Sequence, residues 1–271
     1  MTIFSNDWSS HLKHLDSVLT TLEESNFTVN FSKCDFAKKR IKFLGHIVGS
    51  GTHEPDPEKV LAIKNLEPPK TKKDVRSVLG LLSYYRAYIP NFSEIARPLT
   101  VLTKRRTPNE VTWLEGHAKA FSELKEAICD APKCYSPNYK LPFIIYADAS
   151  SYAEGACLAQ KDENNVEHPI AFASKKLNST QEKYAVIEKE AFAVIFALKK
   201  FESYIFDSEI LIVSDHNPLK FLTSCASQSP RLQRWSLALQ RFHATITYRK
   251  GKEHLNADSL SRLQANHWKD E

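Results

Sequence analysis

Two short apolar segments of this chain each end in an aspartate, and they constrain its fold more than any other feature. The segment FIIYAD ends at Asp148, and the segment ILIVSD ends at Asp215. Runs of four apolar, β-prone residues are typical of buried strands. A carboxylate at the carboxyl end of such a strand lies where open α/β sheets bind their ligands. The pattern therefore predicts an α/β fold in which two strands bring acids to one place.

Two carboxylates held close together repel each other unless a cation lies between them. Mg²⁺ is the natural cation, since it prefers oxygen ligands, and a pair of such ions stabilises both the attacking and the leaving oxygen of a phosphodiester displacement. The alternative is that each aspartate simply ends its strand before a turn. The other candidate acids are Glu188 and Glu190, on a helix predicted over 181–203, and Asp258, in a short helix predicted over 256–263. The two glutamates lie on opposite margins of the apolar stripe, so periodicity leaves the choice between them open.

The rest of the sequence predicts a mainly helical part followed by a part that contains both strands and helices. The predicted elements are, in chain order, a helix over 8–25; a hairpin with strands at 42–44 and 47–48 around the turn Gly49-Ser50-Gly51; a helix over 58–65; a helix begun by a capping box of Thr71 and Asp74; a helix over 110–128; strands at 143–146, 155–160 and 168–173; a helix over 181–203; a strand at 210–213; a helix over 230–240; and an edge strand at 243–248. Strands interrupted by helices predict a mixed sheet in the second part. We expect the boundary near 134–140, where prolines interrupt any helix.

Composition narrows the classes of function. The chain is 42% hydrophobic and 25% charged, which is typical of globular proteins and excludes a largely disordered chain. It has neither an apolar run of about 18 residues nor the pattern of a signal peptide, so we expect an intracellular, cytoplasmic protein. The five cysteines include no C-x-x-C pair, which argues against a zinc site, and we expect them to be buried thiols. A net charge of +5, with three basic clusters in the first half, favours a nucleic-acid partner.

Eight longer motifs occur in a fixed order: IFSNDWSSHLKHLDSVLTTL, RIKFLGHIVGSG, a long segment from PDPEKV to LTVLTK, VTWLEGHAKAFSELKEAI, FIIYADAS, EKEAFAVIFALKKF, VSDHNPLKFL and NADSLSR. From Ile3 to about Leu263 they resemble the C-terminal part of the polyprotein reverse transcriptase of gypsy-like LTR retrotransposons. The first four are similar to the end of the palm, the primer-grip hairpin, the thumb and the connection. The last four are similar to the acidic motifs of the retroelement ribonuclease H (RNase H).

The resemblance implies four parts: a palm remnant with its hairpin at 1–55, a helical thumb at 56–106, a connection at 107–139, and an RNase H-like domain with a mixed five-stranded sheet at 140–265. It implies an endonuclease that cleaves RNA in RNA–DNA hybrids with two Mg²⁺ ions, for which Mn²⁺ can substitute. The parent function is RNA-directed DNA polymerase. The polymerase aspartates of the family precede the segment that begins this chain, so we expect no polymerase activity from this chain alone.

In this family the catalytic glutamate directly precedes a run of small and apolar helical residues, which matches Glu190. The implied catalytic and metal-binding quartet is Asp148, Glu190, Asp215 and Asp258, with Asp148 bridging both ions. A mobile histidine of related enzymes is replaced by Tyr248, and His254 is a possible auxiliary in its place.

The resemblance also suggests which residues contact nucleic acid. The expected contacts are Arg76, Tyr84 and Arg86 in the thumb, and Arg231, Arg234 and Trp235 on the helix over 230–240. Tyr85 and Trp235 fit a core position equally well. The expected partners are an RNA–DNA hybrid or a template–primer duplex, together with an intact polyprotein or reverse transcriptase copy; a virus-like particle or the nucleus are further settings. Two alternatives are a catalytically idle nucleic-acid-binding remnant and a DNA-cutting integrase or transposase of the same fold.

Overall fold

The structure is a computed structural model and describes residues 1–5, 7–214 and 229–248. The described α-helices are α1 (Trp8–Glu24), α2 (Pro57–Lys64), α3 (Lys72–Tyr84), α4 (Phe92–Ile95), α5 (Arg97–Leu102), α6 (Glu115–Cys129), α7 (Val186–Ile205) and α8 (Pro230–Leu239). The described strands are β1 (Arg40–Phe43), β2 (His46–Gly49), β3 (Thr52–Pro55), β4 (Cys134–Tyr135), β5 (Phe143–Ala149), β6 (Ala153–Lys161), β7 (Glu167–Lys176), β8 (Ile210–Ser214) and β9 (Ala244–Tyr248). Within these ranges, no helix is both long and apolar enough to cross a membrane. The helix predicted over 256–263 lies outside the described residues.

The chain divides into two compact units, Met1–Ile41 and Lys42–Glu271. In the first unit, α1 confirms the helix predicted over 8–25. Its N-terminus is capped by Asp7, whose carboxylate accepts a hydrogen bond from the backbone N–H of Ser10. No residue of α1 is buried. The four-part division expected from the sequence stays a prediction.

A small sheet has the strand order β1-β2-β3-β4, and it corrects the predicted hairpin. Leu44 and Gly45, both with positive φ, form the turn between β1 and β2. The glycine-rich segment 49–51 instead joins β2 to β3, a strand that the sequence did not predict. Two consecutive residues with positive φ suit a two-residue hairpin turn because their twist matches that of the strands. Leucine rarely occupies such a position, so the sequence pattern favours the glycines as the turn.

A tyrosine between two histidines ties β2 and β3 to the helices. The Tyr88 hydroxyl lies 2.7 Å from Nδ1 of His53 and 3.0 Å from Nδ1 of His46. It can therefore donate to one imidazole and accept from the N–H of the other. Burial lowers the pKa of both histidines, which keeps both rings neutral at neutral pH, as this arrangement requires.

Five helices lie between β3 and β4, a stretch that the sequence predicted to be helical with three helices. The predicted capping box is confirmed, because the Thr71 side chain accepts from the Asp74 backbone N–H while the Asp74 carboxylate accepts from the backbone of Thr71. Leu82 and Leu124 are fully buried in the core of this segment. Tyr85, which the sequence left open, is also a core residue at 2% exposure.

The larger sheet has the order β7-β6-β5-β8-β9, in which β5, β6 and β7 are antiparallel and β8 and β9 run parallel to β5. The predicted mixed five-stranded sheet and the edge position of β9 are thus confirmed. One face, with Ile145 and Leu158, packs against α7 and α8. The other face, with Ile144 and Tyr146, shares a core with the helices of the preceding segment. The sheet is therefore covered on both sides.

Two helices begin later than the periodicity predicted. α6 begins at Glu115 because residues 109–111 pair through their backbone with residues 70–72. α7 begins at Val186, after a separate 3₁₀ turn at Gln181–Lys183. In both cases apolar residues continue the helical spacing although the backbone is not helical, so periodicity alone overextends the helix.

The cysteines agree with the expectation of buried thiols only in part. Cys134 and Cys157 are buried, whereas Cys129 is exposed and Cys34 is partly exposed. Cys129 is the last residue of α6, where the helix end reaches the surface.

Candidate active site

Asp148 lies near the C-terminal end of β5, the central strand of the larger sheet. This edge of the sheet is the one at which the parallel strands β5 and β8 end. Residues 143–147 of β5 are buried, and Asp148 is the first exposed side chain of the strand. β5 and β8 are parallel neighbours, with Tyr146 opposite Val213. Their carboxyl ends therefore meet at one edge, as predicted. Asp215 follows β8 in the sequence but lies outside the described residues, as does Asp258.

Glu190 lies in the first two turns of α7, and a chain of contacts places these turns at the same edge. Along the sheet, Ala149 pairs with Glu154 of β6, and Glu154 pairs with Lys175 of β7. The Lys175 ammonium lies 5.7 Å from the ring centre of Phe192, which is two residues beyond Glu190. The Glu190 side chain is 7% exposed. The structure thus brings Asp148 and Glu190, both expected in the catalytic quartet, to one end of the sheet.

Glu188 has a different set of contacts, which separates it from Glu190. Its carboxylate accepts hydrogen bonds from the guanidinium of Arg231 at 3.2 Å and from the hydroxyl of Ser229 at 3.1 Å. These two residues begin α8, so Glu188 holds the start of α8 against α7. Periodicity could not separate the two glutamates, because both border the apolar stripe. The partners of Glu188 come from a helix about 40 residues away in the sequence.

Glu154 is a buried acid at this edge that the sequence analysis missed. Its side chain is fully buried, and neither carboxylate oxygen has a hydrogen-bond partner among the described residues. Burial raises the pKa of Glu154 to about 7, and the neighbouring Lys175 opposes part of this rise. The spacing along β6 could have indicated this burial. Glu154 lies two and four residues before the core residues Ala156 and Leu158, so its side chain projects to the same face of the strand. We infer that Glu154 is largely protonated below neutral pH.

The donor set at this edge fits a hard divalent cation, because carboxylate oxygens are the ligands that Mg²⁺ prefers. Within the described ranges, no three His, Cys, Asp or Glu side chains lie close enough to hold a metal ion. Asp148 and Glu190 supply two of the four expected donors, and the other two belong to the part of the chain that is not described. The described part therefore fits half of the expected metal site.

A family comparison matches this region. Residues 138–242 match the family model described as the RNase H-like domain found in reverse transcriptase. The matched range contains four strands of the larger sheet, β5 to β8, together with Asp148 and Glu190. Residues 138–242 form an RNase H-like domain of the reverse-transcriptase type.

Most of the chain, beyond the RNase H-like domain, is similar to retrotransposon polyproteins. It is 39% identical over 262 residues to the retrovirus-related Pol polyprotein from transposon 297 of Drosophila melanogaster, covering 97% of this chain and 24% of that protein. It is 34% identical over 275 residues to the corresponding polyprotein from transposon gypsy of the same fly, with coverages of 97% and 26%. The chain thus spans about a quarter of the length of these curated relatives. The resemblance to gypsy-like retrotransposons is confirmed.

Solved structures support the same fold. A foamy viral protease-reverse transcriptase in complex with double-stranded DNA aligns with a TM-score of 0.77 and 26% identity, over 91% of this chain and 44% of that one. A foamy viral protease-reverse transcriptase in complex with an RNA/DNA hybrid aligns with a TM-score of 0.77 and 25% identity, over 92% and 34%. Both alignments extend well beyond the RNase H-like domain into the helical segment, which consists of the five helices α2 to α6 between β3 and β4.

The predicted nucleic-acid contacts of the helical segment all make contacts within the protein. Arg76 is exposed and donates to the carbonyl of Thr103 at 3.0 Å. Tyr84 is half exposed, stacks on His46 with ring centres 5.3 Å apart, and donates its hydroxyl to the Leu44 carbonyl. Their exposure leaves both side chains accessible to a ligand, and their nucleic-acid role stays a prediction.

Arg86 differs from these two residues because it is partly buried. Its guanidinium donates to the carbonyl of Ser174 in β7 and lies 5.4 Å from the ring centre of Phe92. Burial lowers the pKa of Arg86. It therefore links the helical segment to the RNase H-like domain, a role that the sequence did not indicate.

The three predicted contacts on α8 are not equivalent either. Arg234 is exposed and donates to the Pro230 carbonyl at 3.2 Å. Trp235 is partly buried and stacks on Phe192 with ring centres 5.5 Å apart, so the core interpretation holds for most of its ring. Arg231 pairs with Glu188, as described above. Nucleic-acid contacts by these residues stay predictions, and the auxiliary His254 lies outside the described residues.

Proposed function

We propose that the RNase H-like domain hydrolyses the RNA strand of RNA–DNA hybrids by endonucleolytic cleavage that depends on Mg²⁺. The observation that carries this proposal is the placement of Asp148 and Glu190 at one end of the sheet, where two parallel strands end. The family match supports it, and so does the similarity to a foamy viral enzyme whose structure contains an RNA/DNA hybrid. The proposed substrate is thus an RNA–DNA hybrid.

The carboxylates of Asp148 and Glu190, with Asp215 and Asp258 proposed from the sequence, would hold two divalent cations. When bound, these cations would supply stabilisation of the charge on the attacking and leaving oxygens of the phosphodiester. Water adds to phosphorus and the bond to the 3′ oxygen breaks, which leaves a 5′-phosphate on one product and a 3′-hydroxyl on the other. Choice of the RNA strand depends on contacts to the 2′-hydroxyl, the group that distinguishes RNA from DNA.

We propose different roles for the acids at this edge. Asp148 is exposed at the end of β5 and so can reach the substrate side of the site. Glu190 is almost buried on a long helix, which restricts its carboxylate to few rotamers and favours preorganised ligation. Glu188, bound to Arg231 and Ser229, holds α7 and α8 together.

The test is cleavage of a labelled RNA–DNA hybrid by the purified full chain in Mg²⁺, in Mn²⁺ and in EDTA. We expect metal-dependent cutting of the RNA strand, lost by about 100-fold or more in Asp148→Asn and Glu190→Gln because each removes a negative donor to the cations. Glu188→Gln is the matched control for Glu190→Gln, since it makes the same chemical change two residues away. We expect it to retain cleavage within a few-fold.

Equal losses in the two glutamine variants would show that the assignment of Glu190 is wrong. If the wild-type chain folds and binds the hybrid but does not cut it in either metal, the nuclease proposal fails, and the chain acts as a nucleic-acid-binding remnant. Cleavage that persists in Asp148→Asn would place the active site elsewhere.

A further inference from the structure

Asp148 belongs to a row of three residues that crosses the sheet. In the antiparallel pairs it lies opposite Gly155 of β6, and Gly155 lies opposite Ser174 of β7. Residues directly opposite each other on antiparallel strands project to the same face, with their Cα atoms about 4.5–5.5 Å apart. The three residues therefore share one face of the sheet, the face that packs against the helical segment.

The segment 86–97 is docked directly on this row. The backbone N–H of Ser93 donates to the hydroxyl of Ser174 at 2.9 Å, and Arg86 donates to the carbonyl of the same serine. Asn91 Oδ1 lies so close to Gly155 that it would clash with a Cβ built there. A larger residue at 155 would therefore displace the end of the Asn91 side chain. Asn91 thus lies over Gly155, the residue of β6 that is paired with Asp148 on the neighbouring strand.

The Asn91 side chain is available for a further contact. Its backbone is left-handed, with φ of 50°, and it precedes α4 without capping that helix through its side chain. Within the described part of the chain, its amide makes no side-chain hydrogen bond. An amide group in this position has donors to offer to a ligand bound at the Asp148 edge.

Arg97 stands at the end of the same segment and stacks on Tyr152. The centre of its guanidinium lies 3.4 Å from the ring centre of Tyr152, which belongs to the turn between β5 and β6, four residues after Asp148. Tyr152 is 41% exposed. Among the described residues, the Arg97 guanidinium has neither a hydrogen bond nor a carboxylate within ion-pair distance. A stacked guanidinium keeps its in-plane N–H donors free, and these match the geometry of a phosphate.

We propose that Asn91, Arg97 and Tyr152 form a contact for the sugar-phosphate backbone of the hybrid, beside the nuclease site; we call it the Arg97 surface. This inference rests on the proposed function. Asp148 and Glu190 are negative and repel a polyanion, so a substrate strand at this edge needs a cationic group outside the acid pair. Arg97 is such a group, and Tyr152 restricts its orientation. The helical segment therefore contributes directly to the substrate groove of the RNase H-like domain.

The experiment measures binding of an RNA–DNA hybrid to the full chain in EDTA by fluorescence anisotropy, over a series of salt concentrations. We expect Arg97→Gln to weaken binding by about five- to tenfold and to reduce the slope of log K against log salt by about one, the effect of losing one phosphate contact. Arg241→Gln is the matched control. Arg241 is exposed and pairs with Glu202 at 3.5 Å. It lies just before β9, whose first residue pairs with Ile210 at the end of the sheet opposite Asp148.

The tyrosine variants separate a binding role from a packing role. We expect Tyr152→Phe to bind like the wild type, because the ring remains, and Tyr152→Ala to weaken binding with a smaller change in salt slope than Arg97→Gln. If Arg97→Gln lowers only the melting temperature and leaves the salt slope unchanged, the Arg97 surface is structural and the inference is overturned. The same conclusion follows if Arg241→Gln has an equal effect.

The two proposals fail in different ways. A wild-type chain that binds and cuts the hybrid, with an unchanged salt slope in Arg97→Gln, contradicts the Arg97 surface alone. A wild-type chain that binds with the expected slope change but does not cut contradicts only the nuclease proposal. A folded wild-type chain that does not bind the hybrid overturns both.

Discussion

Glu154 shows how one side chain can act against the stability of a fold while lying next to its candidate active site. A carboxyl group without hydrogen bonds in an apolar interior is costly when ionised, so burial favours its protonated form. Lys175, the cross-strand neighbour of Glu154, offsets this cost only in part. An acid occupies this position although the next residues on the same face of β6, Ala156 and Leu158, belong to the hydrophobic core.

The raised pKa of Glu154 predicts how stability depends on pH. The group keeps its proton in the folded state up to about pH 7, whereas its ordinary pKa is 4.5. Between these values the unfolded state releases a proton that the folded state retains, so the free energy of unfolding falls as pH rises from about 4.5 to 7 and then stays low. Glu154→Gln cannot ionise, and we expect its stability advantage over the wild type to grow by about 3 kcal/mol between pH 4.5 and pH 8.

Urea unfolding of both proteins across this pH range measures the effect, because the contributions of all other groups cancel in the difference. Glu163→Gln, at an exposed turn position, is the control and should show no such trend. A difference between wild type and Glu154→Gln that does not change with pH would contradict the assignment.

At the scale of elements, the capping box predicted from the local sequence is present at the start of α3 in the folded structure. Thr71 and Asp74 satisfy each other's backbone N–H groups, with the Thr71 backbone N–H 3.1 Å from the Asp74 carboxylate. The helix carries Tyr84 at its end and leads to Arg86, so its position matters for the segment that docks on the sheet.

We expect Thr71→Ala to destabilise the protein by about 1 kcal/mol, because it removes the side-chain acceptor of the cap. Ser77→Ala, at an exposed position within α3, is the matched control and should be neutral or slightly stabilising, since alanine favours helices. Urea denaturation followed by circular dichroism measures both. Equal effects of the two substitutions would show that the cap contributes nothing.

Other elements show where local signals fail. The periodicity of α6 and α7 was right, but their first residues were decided by backbone pairing of residues 109–111 with 70–72 and by the separate turn at Gln181–Lys183. The hairpin turn at Leu44 is set by strand pairing, which overrides the preference of leucine for negative φ. The errors in α6 and α7 lie at the start of a helix and leave its type unchanged, whereas β3 was not predicted at all.

At the scale of the whole molecule, the helical segment and the sheet share a hydrophobic core. Leu82, Leu99 and Leu124 of the helices belong to the same buried cluster as Ile144 and Tyr146 of β5. A boundary near 134–140, expected from the prolines, does not separate two cores. We infer that residues on both sides of it unfold together.

Leu124→Ala tests this cooperativity. The substitution leaves a cavity in the helical segment and should cost about 2–5 kcal/mol. Because the core is shared, we expect hydrogen exchange in β5 and β6 to lose as much protection as exchange in α3 and α6. The exposed Leu237 of α8 provides the control Leu237→Ala, which should have little effect. Faster exchange confined to the helices would show instead that the two parts unfold independently.

The sequence by itself determined the type of most elements, the mixed character of the sheet in the second part and the strand that carries Asp148 near its end. These features follow from periodicity and from the alternation of apolar and polar residues, which depend on neighbours only a few positions away. The resemblance to retrotransposon reverse transcriptases added the choice of Glu190.

Only the tertiary structure decided how these elements come together. It showed Glu188 bound to Arg231, Glu154 enclosed beside the site, and the segment with Asn91 seated on Gly155. The physical reason is the same in each case: a charge, a buried carboxyl or a close backbone approach depends on a partner roughly 20 to 60 residues away, and its energy is defined only once the fold has brought both together.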